Sequence, residues 1–138
     1  MKRTVTAVLW LALLGVAGFS AGAPEGTDWP GWLGPKGDRT TPDGEWRSES
    51  LASPRYLWKT AVGVGISAPV VAGKDVYVAG RIDGRETVFC LRAANGREVW
   101  SHVVPARGAP ATANGTALLD GTRLYYVGSE GTLLCLDA

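Results

Sequence analysis

Four features of this 138-residue sequence have residue types and spacings that could carry chemistry. Gly63-Val64-Gly65-Ile66-Ser67-Ala68 follows an apolar run and has the G-x-G-x-x-A spacing of a dinucleotide loop, with Asp83 in the place of a ribose-binding carboxylate. That chemistry needs a helix to begin at once, so that its N-terminal N–H groups face the pyrophosphate. Pro69 and the β-branched Val70 and Val71 follow instead, so the segment reads as a flexible turn ahead of a strand. Cys90 and Cys135 are the only thiols and invite a disulfide in an oxidising compartment. His102, the single histidine, lies between Ser101 and Val103. A catalytic base needs an orienting partner, and with none named by the sequence His102 reads as a surface or rim side chain. Asn114-Gly115-Thr116 has the form of a glycosylation acceptor and reads as a loop. No Gly-x-Ser-x-Gly elbow, adjacent carboxylate pair or phosphate loop is present. One His and two Cys spaced 45 apart make no zinc-like cluster. No catalytic or metal-ligating residue is therefore assigned, and cofactor-binding residues stay unknown.

The elements that would position these residues come from an internal repeat. Pro69-Val-Val-Ala-Gly-Lys-Asp-Val-Tyr-Val-Ala-Gly80 aligns with Ala117-Leu-Leu-Asp-Gly-Thr-Arg-Leu-Tyr-Tyr-Val-Gly128 at an offset of 48, pairing Gly73 with Gly121, Tyr77 with Tyr125 and Gly80 with Gly128. Val88-Phe-Cys-Leu-Arg-Ala93 aligns with Leu133-Leu-Cys-Leu-Asp-Ala138 at an offset of 45, pairing Cys90 with Cys135. Leu57-Trp58-Lys59-Thr60-Ala61-Val62 echoes Val99-Trp100-Ser101-His102-Val103-Val104 at an offset of 42. Short apolar runs alternate with turn chemistry at 72–75, Asp83-Gly84, Asn95-Gly96, Asp120-Gly121 and Glu130-Gly131. The pattern predicts strands near 57–62, 68–72, 75–80, 86–92, 97–104, 116–119, 123–128 and 132–137, and no amphipathic helix of useful length. Asn-Gly and Asp-Gly suit type I′ hairpins, where both central residues need positive φ.

The predicted fold is all-β: an incomplete β-propeller of about two four-stranded antiparallel blades, the second lacking its last strand. Val76-Tyr-Val-Ala and Val88-Phe-Cys-Leu are apolar on both faces, as a sheet stacked between two others requires. Cys90 and Cys135, at equivalent positions of successive blades, would be related by a rotation that separates their Cα atoms beyond the ~7 Å a disulfide tolerates. Both therefore read as small buried hydrophobes.

Composition agrees. The chain is 46% hydrophobic with 19 Gly and 6 Trp, a profile of short aromatic strands and tight turns. Lys and Arg number 14 against 13 Asp and Glu, scattered along the chain, so nucleic acid is not an expected partner. Lys2 and Arg3 precede an uncharged apolar run from Thr4 to Gly22, the layout of a secretory signal with cleavage expected after Gly22. The organisation expected is a signal peptide at 1–22, a mostly irregular leader at 23–55 and repeats at 56–138 (blade 68–104, partial blade 116–138). The body is expected to be exported to the periplasm or beyond, with no membrane span after cleavage. No Cys precedes Cys90, so the segment holds no lipobox cysteine.

Val88-Phe-Cys-Leu-Arg-Ala-Ala-Asn-Gly-Arg-Glu-Val-Trp100 resembles the repeat of the pyrroloquinoline-quinone-like (PQQ-like) β-propellers, apolar-x-Leu-Asp-Ala-x-Thr-Gly-x-x-x-Trp. Leu91, Ala93, Gly96 and Trp100 fit, whereas Arg92 stands where Asp is usual and Asn95 where Thr is usual. Ser67 to Gly80 is similar to the start-of-blade pattern, and Asp28-Trp-Pro-Gly-Trp-Leu-Gly-Pro35 resembles the leader of secreted members. The resemblance implies that Trp58 and Trp100 pack between blades. It also implies more blades than two, since roughly six to eight of ~45 residues would need some 270–360 residues. The end at Ala138, in mid-repeat, thus reads as that of an N-terminal fragment.

The functional expectation from this resemblance is a non-catalytic exported scaffold or interaction module, its partners being proteins or further blades, with no cofactor. A PQQ- and Ca²⁺-dependent quinoprotein dehydrogenase is the alternative, for which the vicinal Cys pair and the carboxylate cluster with Asn are missing. A third reading is similarity to the propeller lipoprotein of the outer-membrane-protein assembly machinery, against which the missing lipobox counts.

Overall fold

The computed structural model describes residues 28–41, 49, 52–106, 108 and 112–138. The predicted signal segment lies outside the described residues. Seven strands form: β1 (Val70–Ala72), β2 (Asp75–Ile82), β3 (Arg85–Arg92), β4 (Glu98–Val103), β5 (Leu118–Asp120), β6 (Arg123–Val127) and β7 (Leu133–Asp137). They make two antiparallel meanders, β1-β2-β3-β4 and β5-β6-β7, the expected pair of blades with the second one strand short.

The repeat is reproduced as register. Val70 faces Tyr77 and Tyr77 faces Cys90 in the first sheet; Leu118 faces Tyr125 and Tyr125 faces Cys135 in the second. The turns differ in detail from the uniform expectation. Asp83 and Gly84 both have positive φ (49° and 76°) and link Ile82 to Arg85 as a two-residue primed turn. At 72–75 and 120–123 only the first central residue, Gly73 or Gly121, has positive φ, so Lys74 and Thr122 follow in ordinary conformations. The Asn95-Gly96 turn is longer, spanning from Arg92, whose N–H donates to Arg97, to Gly96, whose N–H returns to the Arg92 carbonyl. A bulge between Cys90 and Leu91 sets Cys90 against Trp100 and Leu91 against Glu98, bypassing Val99.

One core joins the sheets. Val70, Tyr77, Ala79, Val88 and Cys90 from the first sheet meet Leu119, Leu124 and Tyr126 from the second, with Trp100, Leu134 and Leu136 at the margin. Because side chains alternate along a strand, the other face of the second sheet carries Leu118, Tyr125, Val127, Leu133 and Cys135. Nothing among the described residues stacks on that face as a sheet, and Leu118, Val127 and Leu133 are exposed on it.

The predicted strand at 57–62 needs correction: it runs extended but joins neither sheet. Its packing is nonetheless that of an outer strand. Trp58 lies over Gly96, and the Val62 carbonyl crowds Gly80 so closely that a Cβ there would meet it at 1.9 Å. Gly128, the counterpart of Gly80, also faces the counterpart of Val62, but there a Cβ would meet the Val104 side chain, at 2.7 Å, rather than a carbonyl. Residues 57–62 therefore pack closely along the first sheet without being a strand of either sheet.

Candidate functional site

The most constrained polar group is Glu86, at the start of β3 and only 2% exposed. Tyr126 on β6 donates its hydroxyl to Oε1 at 2.6 Å. Ser129, just beyond β6, donates its N–H to Oε1 (3.2 Å) and Oε2 (3.0 Å), and its hydroxyl to Oε2 at 2.7 Å. A buried carboxylate survives only when its lone pairs are met, and here both oxygens are engaged from the opposite sheet. Burial, reinforced by the Glu86 hydrogen bond, holds the Tyr126 phenol well above its ordinary range. The cluster is a clamp between sheets. With its oxygens spent on protein donors, Glu86 has none aimed at a substrate.

A second tie comes from the leader, expected to be mostly irregular. Asp28 Oδ1 accepts the Gly73 N–H at 2.7 Å, Trp29 exchanges two backbone bonds with Val71, and the Pro30 carbonyl accepts the Leu119 N–H at 2.8 Å. Residues 28–30 thus bind β1 and β5, the first strands of both sheets. The Trp29 indole closes this knot over Gly34, whose positive φ of 74° suits it to the turn.

The residues singled out in the sequence scatter rather than converge. In Gly63 to Ala68 no helix follows; Val64 bridges Arg81, Gly65 bridges Ala113, and the glycines permit backbone contact, since a Cβ on Gly63 would lie 2.0 Å from the Arg81 carbonyl oxygen. The dinucleotide spacing is a crossing between sheets. Cys90 is buried, as expected, with its thiol pushed up to about 11 by burial. Cys135 is exposed, which corrects the expectation of a second buried hydrophobe, because among the described residues no sheet stacks on its face. Both thiols are free. His102 is exposed on β4 and shares an open groove with Trp100, Ser101, Leu136 and Asp137. Asn114 lies in an exposed loop, accepting from the Thr112 hydroxyl.

The two repeat tryptophans are half-buried against the first sheet. Trp58 donates its indole N–H to the Ala93 carbonyl at 2.7 Å, while Thr60 donates to the Gly96 carbonyl at 2.8 Å. Trp100 tilts against Tyr77, ring centroids 6.0 Å apart, and lines the groove toward β7. β7 is an edge strand. The bonds from Ala138 N–H to Thr122 and from Gly128 N–H to Thr132 aim the even-numbered residues of β7 at β6. By antiparallel alternation the backbone groups of Leu133, Cys135 and Asp137 point outward.

A family model described as outer membrane protein assembly factor BamB, built on PQQ-like repeats, matches residues 45–138. The chain belongs to this family. A comparison with curated proteins finds no match. The family's wider association with quinone-binding propellers prompts a check for a PQQ and Ca²⁺ site. Among the described residues no group of three or more His, Cys, Asp or Glu converges, and the first strands β1 and β5 contribute Val70, Val71, Ala72, Leu118, Leu119 and a single carboxylate, Asp120. Ca²⁺ demands six to eight oxygen ligands, so these residues do not fit such a group. Among the described residues the open surfaces are the apolar outer face of the second sheet and a groove lined by Trp100, Ser101, His102, Leu136 and Asp137.

Proposed function

We propose that the chain is an exported, non-catalytic propeller-repeat module that works by holding protein partners, in the kind of envelope assembly role that the name of its family describes. One observation carries the reading. The buried Glu86 carboxylate is spent on joining the two sheets, while among the described residues β7 bonds no further strand and the outer face of the second sheet exposes Leu118, Val127 and Leu133. Strand addition at such an edge recognises extended peptide through its main chain and selects it through alternate side chains. The sequence supports export through Lys2, Arg3 and the apolar run that follows.

The test has three arms. A photo-crosslinking residue at Leu133, in a Gram-negative host, is expected to capture a component of the outer-membrane assembly machinery, identified by mass spectrometry; no crosslink to any envelope protein would refute the partner reading. Fractionation is expected to find the chain outside the cytoplasm, and Leu9→Arg to retain it there. Addition of PQQ and Ca²⁺ is expected to give no bound-quinone absorbance and no alcohol-dependent dye reduction; either signal would establish the dehydrogenase instead.

A further inference from the structure

We propose that the outward edge shared by β1 and β5 is a peptide-recognition site and that residues 28–34 are its resident ligand, held in cis. The partner it fits is another extended segment of the same chemistry: a carboxylate, an aromatic ring and a proline in succession.

The edge is built from equivalent positions. Among the described strands only β1 and β5 approach each other backbone to backbone across the two sheets. β1 is bonded to β2 and β5 to β6, each on one side. On the other side Val71 and Leu119, counterparts at the repeat offset of 48, turn backbone groups outward. Residues 28–30 take both positions at once. Trp29 N–H donates to the Val71 carbonyl at 2.8 Å, Val71 N–H donates to the Trp29 carbonyl at 2.9 Å, and Leu119 N–H donates to the Pro30 carbonyl at 2.8 Å. This is the pattern of strand addition, in which main-chain bonds supply affinity and side chains supply selection.

Three side chains select here. Asp28 Oδ1 accepts the Gly73 N–H at 2.7 Å, beyond the end of β1. The Trp29 ring lies so close over Gly34 that a Cβ there would meet it at 2.7 Å, which folds the segment back on itself. Pro30 brings no N–H that the junction between β1 and β5 would have to satisfy.

The segment is seated without being part of the core. The cluster that joins the sheets draws on all seven strands and on none of residues 28–41. Glu86 clamps the sheets separately, through Tyr126 and Ser129. Asp28, Trp29 and Pro30 are each half-buried. Residues 28–34 can therefore leave the edge by giving up the bonds just named, with core and clamp intact. A tethered segment competes from an effective concentration on the order of mM. A free peptide thus gains the edge only when the tethered one is impaired.

The test adds a fluorescein-labelled peptide of residues 28–40 to the purified full chain and reads anisotropy. The wild type is expected to bind it without saturation up to about 200 μM chain. Gly34→Val drives a side chain into the Trp29 ring on a backbone with φ of 74°, and is expected to bind the peptide at least about tenfold more tightly. Asp28→Ala removes one exposed hydrogen bond and is expected to fall between the two. The same peptide carrying Gly34→Val is expected to bind none of the three chains. Binding no tighter to either variant than to the wild type, or equal binding of both peptides to the Gly34→Val chain, would overturn the proposal. Hydrogen exchange of the wild type decides the matter if Gly34→Val fails to fold. The N–H groups of Val71, Gly73 and Leu119 are expected to share one protection factor, at least about tenfold below those of Val88 to Cys90 in β3. Exchange of the three only together with β3 would show that the segment does not detach. The β7 edge plays no part in either measurement, so the partner reading built on it stands or falls separately.

Discussion

The two sheets carry the same tyrosine–cysteine pair in the same register and give it opposite environments. Tyr77 is 3% exposed and its phenol is pushed up to about 12 by burial. Tyr125 is half-buried, and its rise owes most to electrostatic repulsion from the adjacent Cys135. Strand sequence sets pairing and facing, but burial is conferred by the neighbouring sheet. In a repeat architecture, one copy of a motif can thus be core while its twin is surface.

The sharpest way to break that contrast is truncation. Tyr77→Ala removes a core ring and is expected to cost about 4 kcal/mol, against under about 1 kcal/mol for Tyr125→Ala, read from urea midpoints. Equal losses would mean that the outer face of the second sheet is covered after all. Next comes the clamp. Glu86→Ala strands the Tyr126 hydroxyl and the Ser129 N–H and is expected to cost about 3 kcal/mol, a figure that a loss below about 1 would contradict. A third comparison sets Gly80→Ala against Gly128→Ala. The first drives a methyl into the Val62 carbonyl and the second into the end of the Val104 side chain, so losses of about 2 and about 1 kcal/mol are expected, with limited proteolysis near 57–62 rising only in the first.

Two smaller effects sharpen the picture. The raised phenols of Tyr77 and Tyr126 mean that the folded chain resists losing these protons, so their contribution is whole below about pH 10 and is lost as pH climbs from there through 12. Absorbance of tyrosinate should show these two rings titrating together with unfolding. Last, thiol labelling at pH 8 should mark Cys135 promptly and leave Cys90 protected until denaturant is added, with no change in stability. Equal labelling of both thiols would refute the difference in burial.

Most of the sheet architecture was legible because the repeat places Gly73, Tyr77, Gly80 and Cys90 against their twins, and periodicity with turn residues then dictates register. Residues 57–62 look like a strand because they are a copy of one, yet a strand is defined by a bonded neighbour, which sequence similarity does not supply. Glu86 gave no signal: its partners lie 40 and 43 residues away, and its counterpart, Gly131, breaks the repeat. The leader was recognisable by resemblance but its role was not, because Trp29 and Pro30 act through backbone groups that any residue carries. Cys135 departs from its buried twin because exposure depends on a neighbouring sheet, which a strand's own sequence does not encode.

The knot made by residues 28–30 sets the timetable of folding during synthesis. Its bonds to Val71 and Gly73 can form early, but the one between Pro30 and Leu119 spans 89 residues and must wait until the second sheet has left the ribosome. The earliest described segment to be made is thus among the last to finish docking, and until it does, Leu119 of β5 lacks its bond to Pro30 while β1 can already be held.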